Sequence, residues 1–221
     1  MTGFKNQFLN NNIKFSIVYN IMNKLDNALN HLLKSDEVVE NKEDIITAVL
    51  YEKYIRVNLG IKNFYCEIQS QENPINYKYQ GIADLKFCNI IDPHMYFIVE
   101  CKRLDGKNKL NKEYITNGIC RFTFKPKYLS PYSINFMVGY IIADIDTNKI
   151  IININEQLKD NENKCLKTKM KLHECSLLAN QFYNNIYFSY HYINNKKEDI
   201  NKDVGLIHIF VNLHSIVESK V

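Results

Sequence analysis

Between Phe15 and Leu33 the apolar residues Ile17, Val18, Ile21, Met22, Leu25, Ala28, Leu29 and Leu32 recur three and four apart. That spacing lays them along one side of a 3.6-residue turn and predicts an amphipathic helix over 15–33. In "NKEDIITAVLYEKYIRVNLG", Asn41 stands where a capping residue would, acids fill the first turn and Gly60 follows the last, so a second helix is expected from about Lys42 to Val57. After Gly60 the pattern shortens. "NFYCEIQSQE", "YQGIADLKFCNI" and "HMYFIVECKRL" are aromatic and β-branched runs, with "IDPH" as a turn between the last two. They predict three strands, the last two forming a hairpin. "NKEYITNGICRF" reads as a helix, "FMVGYIIAD" as a buried strand, and "IININEQLKDN" as a further helix despite its β-branched opening. A βαβ element therefore follows the hairpin. In the final third, "LKTKMKLHE" alternates like a strand with one wet face, with Lys167, Lys169 and Lys171 on that face, and "NNIYFSYHYI" and "GLIHIFVNLH" predict two more strands. The polar "NNKKEDINKD" between them is expected to be a loop excursion.

These elements place the chain in the α/β class, with a mixed central sheet flanked by helices and extra strands at the C-terminal end. At 221 residues and 46% hydrophobic composition it is long enough for one core. The expectation is a single domain over 1–221. Its core spans 36–145, preceded by the helix at 15–33 and followed by an extension over 146–221. With 7 Gly and 4 Pro, no stretch is low in complexity. Cys66, Cys88, Cys101, Cys120, Cys165 and Cys175 show no C-x-x-C pair and no zinc-finger spacing, so reduced, packed thiols in a cytoplasm are expected. No apolar run reaches the roughly 18 residues of a membrane span, and "MTGFKNQFLNNN" lacks a secretory-signal layout, which points to a cytoplasmic protein with no membrane partner. The net charge of +4 is mild, so any affinity for a polyanion rests on where the basic residues lie.

Candidate chemistry enters at "YFIVECKRLDG", where a greasy strand ends in opposite charges. Successive strand residues point to opposite faces, so Ile98, Glu100 and Lys102 share one side and Phe97, Val99 and Cys101 the other. In the preceding strand, Asp84 stands between Ala83 and Leu85 and can face the same way. An E-x-K at a strand end is by itself also an ordinary surface ion pair. Here it is joined to a preceding helix, an acid on the partner strand, and a following helix and buried strand.

With these residues the chain resembles the PD-(D/E)xK nucleases, which have the restriction-endonuclease-like fold. Asp84, Glu100 and Lys102 match that superfamily's acid, acid and lysine, and the order of elements from Asn41 to Asp144, roughly half the chain, is similar. The motif's proline is absent, Ala83 standing before Asp84; that position is degenerate in the family. The resemblance implies metal-dependent hydrolysis of phosphodiester bonds, with DNA as the expected substrate and a role as an effector in bacterial restriction or antiviral defence. Asp84, Glu100 and the main-chain carbonyl of Cys101 would form an oxygen cage suited to Mg²⁺ or Mn²⁺. Lys102 would stabilise charge building on the phosphate. A further acid often comes from the preceding helix. At 100° per residue Glu43 shares the stripe of Ile46, Leu50, Tyr54 and Val57, whereas Glu52 points away, so Glu43 is the choice. An acid favoured by the helix dipole in a first turn is the alternative reading of Glu43.

Arg103, Lys107, Lys109 and Lys112 follow the motif and suit a phosphate backbone. Asn117 and Arg121, four apart on one predicted helix, are candidates to contact nucleic acid or to brace Lys102. His191 and His208 have no ligand spacing and are expected to be packed, hydrogen-bonded histidines. Two rival functions stay open: a catalytically inactive nucleic-acid-binding or assembly module of the same fold, and an RNase. No sequence-reading motif is evident, so a partner protein or a homo-oligomer would supply specificity.

Overall fold

The apolar stripe of the first helix does form one buried face. In the computed structural model, which describes residues 15–57, 60–71, 82–124, 130–161, 166–174, 181–193 and 203–218, α1 (Phe15–Leu33) buries Val18, Ile21, Met22, Leu25, Ala28, Leu29 and Leu32. Burying each large side chain of this kind is worth about 1.5–3 kcal/mol, ample to hold an amphipathic helix on a sheet. Asp26 is buried on the same face, and its carboxylate accepts hydrogen bonds from the amides of Tyr183 and Asn184.

The second helix, α2, is α-helical over Glu43–Val49 and continues as a π-helical turn over Leu50–Ile55. Two expectations are corrected here. The capping position falls on Lys42 and no side chain caps the helix; the Asn41 side chain instead accepts a hydrogen bond from Arg103. Val57 is 76% exposed, because the helix ends at Ile55 with Arg56 as its cap, and Val57 lies in the turn beyond it.

The strands are β1 (Phe64–Gln71), β2 (Ile82–Asn89), β3 (Tyr96–Leu104), β4 (Ile134–Ile141), β5 (Thr168–Glu174), β6 (Asn185–Tyr192) and β7 (Asp203–Asn212). They form one mixed sheet in the order β1-β2-β3-β4-β7-β6-β5. The hairpin of β2 and β3 is antiparallel, β4 is parallel to both β3 and β7, and the β5–β6 and β6–β7 pairs are antiparallel. All of β4 is buried, as its unbroken apolar run requires of a strand covered on both faces. The β3–β4 crossover is α3, helical over Asn108–Glu113 and Cys120–Phe124 with a π-helical turn over Tyr114–Ile119 between them. The last helix, α4 (Thr147–Asn161), follows β4.

Two hydrophobic clusters lie on opposite faces of the sheet. One joins α1 and α2 to Phe87, Phe97, Val99, Phe136 and Val138; the other joins α3 and α4 to Ile98, Met137, Ile141 and Phe210. The molecule is therefore α/β, with helices on both faces of a mixed sheet. Cys66, Cys88, Cys101 and Cys120 are free thiols, whereas Cys165, Cys175 and residues 194–202 of the expected loop lie outside the described residues. No described helix is long and apolar enough to cross a membrane.

Candidate active site

The predicted acids meet where β2 and β3 part. Their paired register runs from Cys88 opposite Tyr96 to Leu85 opposite Val99, while β3 continues along β4 as far as Leu104 opposite Ile141. Just beyond Leu85 the carboxylate of Asp84 accepts the Cys101 amide at 2.7 Å. A side chain thus satisfies a backbone donor that has left the hairpin ladder. That bond turns Asp84 toward the end of β3 and holds it there.

Lys102 is the point of convergence. Its Nζ donates to the Cys101 carbonyl at 2.6 Å and to Glu43 Oε1 at 2.7 Å, and lies 3.4 Å from both Asp84 Oδ2 and Glu100 Oε2. Glu43 arrives from the first turn of α2, where its second oxygen accepts the Arg103 amide at 3.2 Å. Glu52 is exposed and pairs with Arg56, so the periodicity chose the inward acid correctly. Glu100 and Lys102 project on the α3 side of the sheet, and Glu100 is fully buried. Both Glu100 oxygens accept from one terminal nitrogen of Arg121, at 2.7 and 2.8 Å.

Burial pushes the Glu100 carboxyl up to about 8, with the Asp84 charge adding to the effect and Lys102 and Arg121 pulling against it. For Lys102, burial favours the neutral amine, but Glu100, Asp84 and Glu43 outweigh it and raise its pKa, so the ammonium is retained. The Cys101 thiol is fully buried and pushed well up, by burial first and then by Asp84. It is held protonated, and only the Cys101 backbone takes part in the site.

The other candidates divide. Arg103 turns inward, one terminal nitrogen bonding the Asn41 carbonyl at 2.5 Å and its side-chain oxygen at 2.9 Å, so it ties α2 to β3. Arg121 braces Glu100. Lys107, Lys109, Lys112 and Asn117 are exposed on α3 and at its start. Asn117 lies exposed in the π-helical turn, whereas Arg121, in the α-helical stretch that follows, reaches Glu100.

Among the described residues, no group of three or more His, Cys, Asp or Glu side chains is arranged to hold a metal ion by itself. The three acids stand instead around an ammonium. The donor set, three carboxylates and a main-chain carbonyl, consists of hard oxygens of the kind that suit Mg²⁺ or Mn²⁺, and in that chemical sense the residues fit such an ion.

A second polar group was not anticipated. Tyr114 of α3 pairs with His208 Nδ1 at 2.8 Å, His208 Nε2 with Ser189 at 2.7 Å, Ser189 with His191 Nε2 at 2.8 Å, and His191 Nδ1 with Thr168 at 3.2 Å. Both imidazoles are fully buried. They are the hydrogen-bonded histidines expected, but their linkage through Ser189 to α3 has no local signal. The Asp26 contact was legible in principle, since an acid four residues after Met22 falls on an apolar stripe. No protein-family model, curated protein or solved structure matches this chain.

Proposed function

We propose that this chain is a metal-dependent nuclease of the PD-(D/E)xK kind, with a restriction-endonuclease-like core, that hydrolyses phosphodiester bonds of DNA. One observation carries the reading: Glu43, Asp84, Glu100 and the Cys101 carbonyl, drawn from a helix and two strands, all lie within 3.4 Å of the Lys102 ammonium. A surface ion pair needs one acid. Three acids gathered around one buried lysine, at the split end of a hairpin and beside exposed lysines on α3, match the needs of phosphate chemistry better.

In this reading Asp84, Glu100 and the Cys101 carbonyl hold Mg²⁺ or Mn²⁺, with Glu43 as an outer acid. The ion supplies Lewis acidity that draws charge from the phosphodiester. Lys102 offers three donors to the oxygens on which negative charge builds. Arg121 keeps Glu100 oriented, and the Asp84 bond to the Cys101 amide keeps both strands in register at the site. Lys107, Lys109 and Lys112 attract the polyanion.

The test is cleavage of plasmid DNA with Mg²⁺ or Mn²⁺. Lys102→Ala and Glu100→Ala should each lower the rate by at least about 10²–10³-fold, and variants that cut as well as the parent would show the roles to be wrong. One observation favours a silent binding module instead: the acids are already engaged by Lys102 and Arg121. Such a module would bind DNA without cutting it and would take up no Mn²⁺.

A further inference from the structure

The acids of the cage are partnered by two cations that differ in kind. Arg121 meets both oxygens of a fully buried carboxylate at 2.7 and 2.8 Å, and loss of that contact would leave Glu100 with Lys102 alone, at 3.4 Å. Lys102 instead touches the whole donor set, Glu43, Asp84, Glu100 and the Cys101 carbonyl. It does so with a point charge on a flexible stem. A divalent ion draws oxygen ligands in to about 2.0–2.6 Å. The Cys101 carbonyl and Glu43 already give their oxygens to Nζ at 2.6 and 2.7 Å. Two cations sharing these oxygens would repel each other across a poorly solvated space.

We propose that Lys102 is the resident cation of the cage and that a divalent ion enters by displacing its ammonium, while Arg121 stays on Glu100. The inference rests on the metal-dependent reading above. It gives the lysine two positions: within the cage without metal, and swung outward, where a scissile phosphate would lie, once metal is bound. The full chain keeps the site closed until the ion has outcompeted an internal charge.

Calorimetric titration with Mn²⁺ tests this on the parent chain, Lys102→Met and Asp84→Asn. With the competitor removed, Lys102→Met should bind Mn²⁺ at least about tenfold more tightly than the parent although it no longer cuts DNA, and Asp84→Asn should weaken binding by about 10–100-fold. Equal or weaker binding by Lys102→Met, with the Asp84→Asn loss intact, overturns displacement and leaves the metal site standing. Absence of Mn²⁺ binding in the parent and in Lys102→Met overturns both. Should Lys102→Met fail to fold, the ammonium ¹⁵N resonance of Lys102 in the parent decides. Mg²⁺ should shift it and speed its hydrogen exchange, and an unmoved resonance at saturating Mg²⁺ refutes the proposal.

Discussion

Glu100 is the residue on which the site depends, because it is fully buried with an acid beside it and two cations around it. The E-x-K pattern announced both Glu100 and Lys102, and strand alternation put them on one face. It did not announce what neutralises Glu100. Arg121 lies 21 residues away on another element, and the sequence offered it as a nucleic-acid contact or a brace for Lys102, not as the partner of Glu100. Arg121→Ala should therefore destabilise the fold by about 3 kcal/mol, the cost of breaking a buried pair from one side, measured by urea unfolding. A variant with parental stability and weaker DNA binding would return Arg121 to the surface role. Arg121→Lys should recover only part of the loss, since a lysine cannot reproduce the planar fork.

Two helices flank the site, and each contains a π-helical turn, Leu50–Ile55 in α2 and Tyr114–Ile119 in α3. The apolar periodicity located both helices in the chain, but it carried α2 on to Val57, which stands exposed in the turn past the helix end at Ile55. The wider π-helical turn adds a residue per loop of helix and rotates everything after it, and no local pattern of apolar residues reports that. Helix α3 also lies close to the sheet. A Cβ on Gly118 would meet Met137 Cε at 2.5 Å. Gly118→Ala should be tolerated, because the end of a methionine side chain yields easily. Gly118→Val should push α3 off the sheet, lowering stability by about 1–3 kcal/mol and loosening Arg121 from Glu100. Urea unfolding of the two variants checks the contrast, and equal losses would contradict it.

Across the whole molecule the buried titrating groups set the response to pH. Burial lowers His191 to about 3, and burial together with the neighbouring imidazole lowers His208 well below its usual 6.5. Both are neutral in the fold, whereas the unfolded chain takes up their two protons near pH 6.5. Stability is then fully present above 6.5 and falls below it, by up to about 2.7 kcal/mol per pH unit for the pair. Glu100 acts in the opposite sense. Raised from 4.5 to about 8, it holds a proton in the fold that the unfolded chain has lost, and it removes up to about 1.4 kcal/mol per unit as pH rises through that window. Two imidazoles outweigh one carboxyl between pH 4.5 and 6.5, so metal-free stability should climb to a maximum near 6.5 and decline toward 8. Urea midpoints at pH 5, 6.5 and 8 test this, and His191→Gln should flatten the acid arm; a midpoint no lower at pH 5 than at 6.5 would refute it.

Helices, strands and the facing of Glu43, Glu100 and Lys102 were determined by the sequence alone, because periodicity is a local property and one buried face per element is enough to reveal it. The placement of β7 between β4 and β6, the parting of β2 from β3 that frees the Cys101 backbone, and the choice of Arg121 as counter-ion were decided only by tertiary structure. Those outcomes join residues far apart in the chain, 59 positions between Glu43 and Lys102. A buried charge accepts whichever partner the packed fold brings within reach, and sequence spacing carries no record of that choice.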